Sequence, residues 1–224
     1  MIFSTKANQA GAGLFASTFH IKICKMKDWT GATQSTFTCI GARNFAVNER
    51  ESGDYYATEP KAVRLLLEME DFPKTTTIWE CACGGGHLSE EMKRLGYDVY
   101  STDYYDRGYG EICDFVGLEN TAPTEFNIIT NPPYRLVNEF IVRGNMILKE
   151  GNKMALFLPI RYLEGKARKE IYRKYPPKTI HVSSGRLKCA MGGNFEKMCG
   201  SAVSYAWFVW EKGHKGETCL RWFN

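Results

Sequence analysis

An Asn131-Pro132-Pro133-Tyr134 run follows directly on the apolar stretch Phe126-Asn127-Ile128-Ile129-Thr130. Apolar and β-branched residues ended by two prolines predict a buried strand that stops abruptly, because proline fixes φ and has no N–H to give to a ladder. A residue before proline is held extended, so the Asn131 amide is presented at the carboxyl end of that strand. In open α/β sheets ligands bind at that edge. An amide oxygen, a rigid proline carbonyl and the Tyr134 ring converging there suit a planar group that carries an NH2, such as a nucleobase. Alone, the run reads equally well as a strand end leading into a helix.

Upstream residues shift that balance. The segment Glu80-Cys81-Ala82-Cys83-Gly84-Gly85-Gly86 ends one expected strand and opens a helix. Glycines there let the backbone approach a ligand and admit positive φ. Asp103 closes the next strand, about 20 residues beyond the turn, where a carboxylate accepts hydrogen bonds from ribose hydroxyls. Asp114 closes a third beside Phe115, placed to meet an adenine amino group and ring. Each aspartate is also an ordinary cap or turn residue. Three acids at three successive strand ends, with the tetrapeptide at the fourth, are harder to assign to turns alone. His87 and Ser89 follow the glycines in place of a phosphate-cradling Gly-Lys-Ser/Thr. A nucleoside without phosphates fits better, which points to S-adenosylmethionine.

The elements that must position these residues alternate from Thr58 onward. Thr58 is expected to cap a helix with Pro60 in its first turn, running to about Asp71. Strands are expected at 76–82, 98–102, near Ile112, and at 126–130, 153–158, 179–182 and 202–210, with one more at 218–222. Helices are expected at 86–95, 136–148 and 161–174. Alternation implies a parallel sheet. No helix separates the strands at 179–182 and 202–210, so the later one is expected to insert antiparallel. Residues 185–200 are expected to form a Gly- and Lys-rich loop, and 1–50 a loosely ordered arm in which 1–25 lie apart from the functional domain. Residues 51–224 are expected to form one domain. His87, His181 and His214 lack metal-ligand spacing and read as turn or surface histidines. Trp207, Phe208 and Trp210 read as core.

Bulk properties exclude several classes. The chain has 224 residues, 44% of them hydrophobic, which suits one cored domain. Its eight cysteines include no CxxC pair, so reduced thiols in a cytoplasmic protein and no structural metal are expected. The longest apolar runs are of core-strand length, well short of a membrane span. Ser17, Thr18 and His20 interrupt the weakly apolar start, which fits a signal peptide poorly, and Met26 offers an alternative start. Residues 1–134 carry 12 Lys/Arg against 18 Asp/Glu, and residues 135–224 carry 17 against 7. A basic second part suggests a polyanionic partner, against the plainer reading of solvated helix faces.

The order of these segments resembles that of class I S-adenosylmethionine-dependent amino-methyltransferases, in particular the small N6-adenine DNA methyltransferases of phages and mobile elements. The matching pieces are Asp54-Tyr55-Tyr56-Ala57-Thr58-Glu59-Pro60, the turn at 80–86, Asp103, Asp114-Phe115, Asn131-Pro132-Pro133-Tyr134 and residues 201–212. The resemblance implies a Rossmann-like fold: a mostly parallel seven-stranded sheet, one antiparallel strand near the C-terminus, and helices on both faces. It implies that Tyr55, Tyr56 and Thr58 contact the methionine end of the cofactor, and that Glu80, Ala82, Gly84 and Gly86 form the glycine motif. Asp103 would bind ribose, Asp114 and Phe115 would flank the cofactor's adenine, and Asn131 would border cofactor and substrate. Asn131, Pro132, Pro133 and Tyr134 would be catalytic. Two departures stand out: Glu80 replaces the more usual Asp, and Cys83 precedes the motif glycine. There is no long insertion for target recognition, so Arg186, Lys188, Asn194 and Lys197 in the loop at 185–200 are the candidates for nucleic-acid contact.

The implied partner is DNA, with RNA as an alternative and no membrane. The same tetrapeptide also serves RNA bases and the glutamine side chain of proteins. A catalytically idle nucleic-acid-binding protein of the same fold is a further reading. A nicotinamide oxidoreductase would use the glycine turn and ribose carboxylate but leave the Asn-Pro-Pro-Tyr corner unexplained.

Overall fold

The computed structural model describes residues 56–117, 122–191, 193, 195 and 203–224. The expected arm at 1–50, and Tyr55, Asn194 and Lys197, lie outside them. The elements in chain order are β1 (Tyr56–Thr58), α1 (Pro60–Met69), β2 (Thr77–Glu80), α2 (His87–Arg94), β3 (Val99–Asp103), β4 (Glu111–Ile112) and β5 (Phe126–Thr130). There follow α3 (Val137–Ile147), β6 (Lys153–Pro159), α4 (Lys166–Lys174), β7 (Thr179–Ser183), β8 (Cys189–Met191), β9 (Tyr205–Glu211) and β10 (Cys219–Phe223). Short 3-10 turns at Tyr134–Leu136 and Ile160–Leu163 lead into α3 and α4.

Eight strands form one sheet in the order β10-β7-β9-β6-β5-β2-β3-β4. Neighbours are parallel except where β9 runs antiparallel between β6 and β7. The late strand therefore inserts as its missing crossover helix required. The further strand expected at 218–222 is β10, which adds to the edge beside β7 and takes the sheet one strand past the seven that the resemblance implies. Of β10 only Phe223 is buried, so its sequence carries little of the alternation that marks a strand.

β5 is buried throughout, and β9 from Tyr205 to Trp210, as expected of strands covered on both faces. On one face Val63 and Leu66 of α1 and Leu88 and Met92 of α2 join Ile78, Ile129, Phe157 and Trp207. On the other, Phe140 and Ile141 of α3 join Ile128, Met154, Phe208 and Trp210, with Ile171 and Tyr172 of α4 packed against them. Trp207, Phe208 and Trp210 are thus core, as their apolar strand implied.

Four local expectations are corrected. Thr58 is not a helix cap: it ends β1, and Glu59 occupies the cap position in extended backbone. The segment at 185–200 is not wholly loop, since β8 within it pairs antiparallel with β1 in a separate two-stranded ribbon. The helix expected at 161–174 is divided, because Gly165 adopts φ 115° before α4 begins. His181 is not at the surface. It is buried on β7 and shares a hydrogen bond of 2.8 Å with Glu70, whose other oxygen accepts from Lys153 at 3.0 Å. Burial pushes the Glu70 carboxyl up, but the bonds from His181 and Lys153 outweigh it and hold it at about 2.

Candidate active site

Strands proceed from β2 to β4 in one direction across the sheet and from β5 through β6 in the other. The order reverses between the carboxyl ends of β2 and β5, where a crevice must open. A cleft of about 840 Å³ lies there. Its lining includes Tyr56, Thr58, Glu80, Ala82, Asp103, Asp114, Phe115 and all of Asn131, Pro132, Pro133 and Tyr134. Gly84 and Gly86 support the cleft as backbone: they adopt φ of 53° and 79°, and a Cβ at Gly86 would come within 2.6 Å of the Tyr109 ring.

The acids sit at strand ends but in unlike surroundings. Asp103 accepts from the Gly84 N–H at 2.9 Å through one oxygen and from the Tyr105 N–H at 2.9 Å through the other. The glycine turn is therefore folded onto the carboxylate that closes β3. Glu80, at the end of β2, is only 2% exposed. Burial pushes its carboxyl up to about 8, while a hydrogen bond from Ser89 opposes the shift and nearby Asp103 adds to it. Asp114 is exposed and accepts from the Val116 N–H at 3.0 Å in a local turn. It lies two residues past the end of β4 rather than closing it. Phe115 borders the cleft yet belongs mainly to the core, with Trp79 at 5.2 Å and Phe140 at 4.6 Å between ring centroids.

At the tetrapeptide, the Asn131 Nδ2 group donates to the Tyr56 carbonyl at 3.0 Å. Its other atom, Oδ1, is buried and has no hydrogen-bond partner among the described residues. An orphaned buried acceptor is costly unless a ligand satisfies it. The ribbon of β1 and β8 thus fixes which way the amide faces. Cys189 of β8 lies beside this corner, with its sulfur 3.9 Å from Asn131 Nδ2, 3.9 Å from the Tyr134 hydroxyl and 3.8 Å from Thr58 Oγ1. The Tyr134 ring lies 6.3 Å from that of Tyr56 (15° between planes) and 6.1 Å from that of Tyr162 (45°). The Tyr162 hydroxyl donates to the Tyr134 carbonyl at 2.6 Å, tying the 3-10 turn after β6 to the tetrapeptide.

Arg186 and Lys188 are not in the cleft. The Arg186 guanidinium donates to Ser204 Oγ at 2.8 Å, and the Lys188 backbone N–H donates to Glu59 Oε1 at 2.6 Å. Residues missed by the sequence reading include Cys189, Tyr162 and the loop residues Tyr104, Tyr105 and Arg107. The loop was reachable by carrying the strand-end argument one step past Asp103. Cys189 was not, because Thr58 meets it across 131 positions of sequence.

Three solved structures share this architecture. A structure from Listeria monocytogenes assigned as a class I S-adenosylmethionine-dependent methyltransferase has TM-score 0.51 at 12% identity, over 84% of this chain and 71% of that one. A predicted O-methyltransferase from Agrobacterium tumefaciens has TM-score 0.51 at 15% identity, over 70% and 84%. A protein from Pyrococcus horikoshii assigned as an RNA methyltransferase has TM-score 0.51 at 13% identity, over 80% and 97%. The chain has the class I methyltransferase fold. No protein-family model and no curated protein matches its sequence. Among the described residues no helix is long and apolar enough to cross a membrane.

Proposed function

We propose that the protein transfers a methyl group from S-adenosylmethionine to the exocyclic N6 amine of adenine in DNA. The observation that carries this reading is the Asn131 Oδ1 atom, buried without a partner among the described residues beside a cleft at the switch point of the sheet. The residues present fit the cofactor. Carboxyls at Glu80, Asp103 and Asp114 line the side where a cationic nucleoside would lie. Bound there, S-adenosylmethionine supplies an electrophilic methyl on a sulfonium, whose departure as a neutral thioether needs no acid.

The chain's own contribution is orientation. The N6 lone pair of adenine is delocalised into its ring and is a poor nucleophile. Asn131 Oδ1 and the Pro132 carbonyl accept from the NH2 group and so draw the lone pair back onto nitrogen, which after forming its bond to the methyl carbon gives up one of its two protons to water. Dipoles fixed before reaction act where charge develops, at no cost of reorganisation. Tyr56 holds the Asn131 amide so that oxygen, not nitrogen, is offered. Tyr134 supplies an aromatic surface for the base. A base leaving a duplex costs a few kcal/mol, and stacking of about 1–3 kcal/mol offsets much of that.

Two substitutions test this. Asn131→Ala is expected to lower single-turnover transfer to an adenine-containing oligonucleotide by about 10²-fold or more. Asn131→Asp, which keeps an acceptor oxygen, is expected to retain more activity than the alanine variant. Cofactor affinity by calorimetry should change little in either. Equal loss of cofactor binding and transfer in Asn131→Ala would make the residue a folding element instead.

A further inference from the structure

The uneven charge along the chain becomes a division of one sheet edge. Glu80, Asp103 and Asp114 stand at the carboxyl ends of β2 and β3 and just beyond β4. Across the cleft, exposed Arg135 follows Tyr134 directly and contributes to the lining. Exposed Arg161 follows β6 and acts electrostatically on Tyr205, which itself contacts Tyr134. Beyond it lies α4, whose first turn holds Lys166, Arg168 and Lys169.

Ile171 and Tyr172 pack α4 against the core, but packing does not account for the cations of its first turn. None of its residues is buried, no acid occupies its first turn, and no side chain caps it. Cations at that end oppose the helix dipole; Arg168 is held by the Glu164 carbonyl at 2.7 Å, whereas Lys166 and Lys169 bring the fold no such contact among the described residues. The two cations of the last turn differ: Arg173 pairs with Glu170 at 3.2 Å, and Lys174 lies over the Tyr175 ring. Lys166 and Lys169 have no ion pair among the described residues, and at i, i+3 they share one face.

α4 is fastened to the tetrapeptide through Tyr162. The Tyr172 hydroxyl of α4 donates to the Tyr162 carbonyl at 2.9 Å, and the Tyr162 hydroxyl donates to the Tyr134 carbonyl at 2.6 Å. The Arg168 guanidinium lies 4.6 Å from the centre of the Tyr162 ring. We propose that the first turn of α4, with Arg135 and Arg161, holds the phosphates of the DNA strand whose adenine enters the cleft. The proposal rests on the DNA reading above and replaces the loop at 185–200 as the principal contact. Its basis is an unpaired positive face joined by two hydrogen bonds to a corner with an unsatisfied acceptor. A polyanion on that face would place a base, not a phosphate, at Asn131.

The test measures binding of labelled single- and double-stranded oligodeoxynucleotides, and of an oligoribonucleotide of matching sequence, over a range of salt. Wild-type protein is compared with K166Q/K169Q and with the control R173Q/K174Q, each checked by melting temperature. For K166Q/K169Q the DNA affinity is expected to fall about tenfold near physiological salt, and the log–log salt slope to lessen by roughly 1.4–1.8. The control should change far less, and cofactor affinity should be unchanged in both. An unaltered slope in K166Q/K169Q, or equal effects of the two pairs, overturns the α4 surface while leaving DNA methylation standing. Failure of the wild type to bind DNA, or tighter binding of RNA, overturns the DNA reading and this surface with it.

Discussion

Glu80 faces the cleft with a carboxyl that burial keeps protonated up to about pH 8. A cationic ligand in that cleft favours the ionised form, so binding must release part of a proton near neutrality. Affinity for S-adenosylmethionine is therefore expected to rise with pH and to level off above about 8. Calorimetry in buffers of different ionisation enthalpy reads the released proton directly. Glu80→Gln should remove both the pH slope and the release, whereas a pH-independent wild-type affinity would separate Glu80 from the ligand. The folding side has the opposite sense. A carboxyl whose pKa is raised on folding contributes stability below its unfolded value and loses it as pH climbs through the folded one. The glutamine variant should accordingly gain in melting temperature relative to wild type as pH rises.

Among the elements, the β1–β8 ribbon has the least sequence signal and a large consequence. It holds Asn131 through the Tyr56 carbonyl, and Glu59 anchors it by accepting from the Lys188 N–H. A proline at Ala190, opposite Ala57 in the ribbon, disrupts a ladder that has no further strand to compensate. Transfer is expected to fall at least tenfold from misorientation of the amide alone. The main sheet is untouched, so the melting temperature should drop by only a few degrees. Full transfer by Ala190→Pro would show that the ribbon does not orient Asn131. β5, β6 and β9 were legible as largely apolar runs, and β2 and β3 as short β-branched and aromatic stretches leading to the glycine turn and to Asp103. β1 and β8 were not, because three-residue strands carry no periodicity and their pairing joins distant parts of the chain. Gly165 marked the break before α4 in plain view, but a lone glycine within a polar helical pattern gives no fixed boundary.

For the whole molecule, the residues bordering the cleft were largely legible and their internal bonding was not. Strand ends fix where Glu80, Asp103 and Asn131 arrive, since a parallel sheet gathers its carboxyl ends along one edge. Which atom of the Asn131 amide faces the ligand depends on Tyr56, and that Glu80 stays neutral depends on its burial. Neither follows from residue type. The overall charge asymmetry was readable as a number but not as a place. Only the fold shows that Glu80, Asp103 and Asp114 of the acidic part line the same cleft as Arg135 of the basic part. The reaction itself is tested by giving the purified protein labelled S-adenosylmethionine with separate pools of DNA, RNA and protein, then digesting each and identifying the labelled product. The expected result is N6-methyladenine from DNA. Label in RNA or on glutamine, or no transfer to any pool, would contradict it.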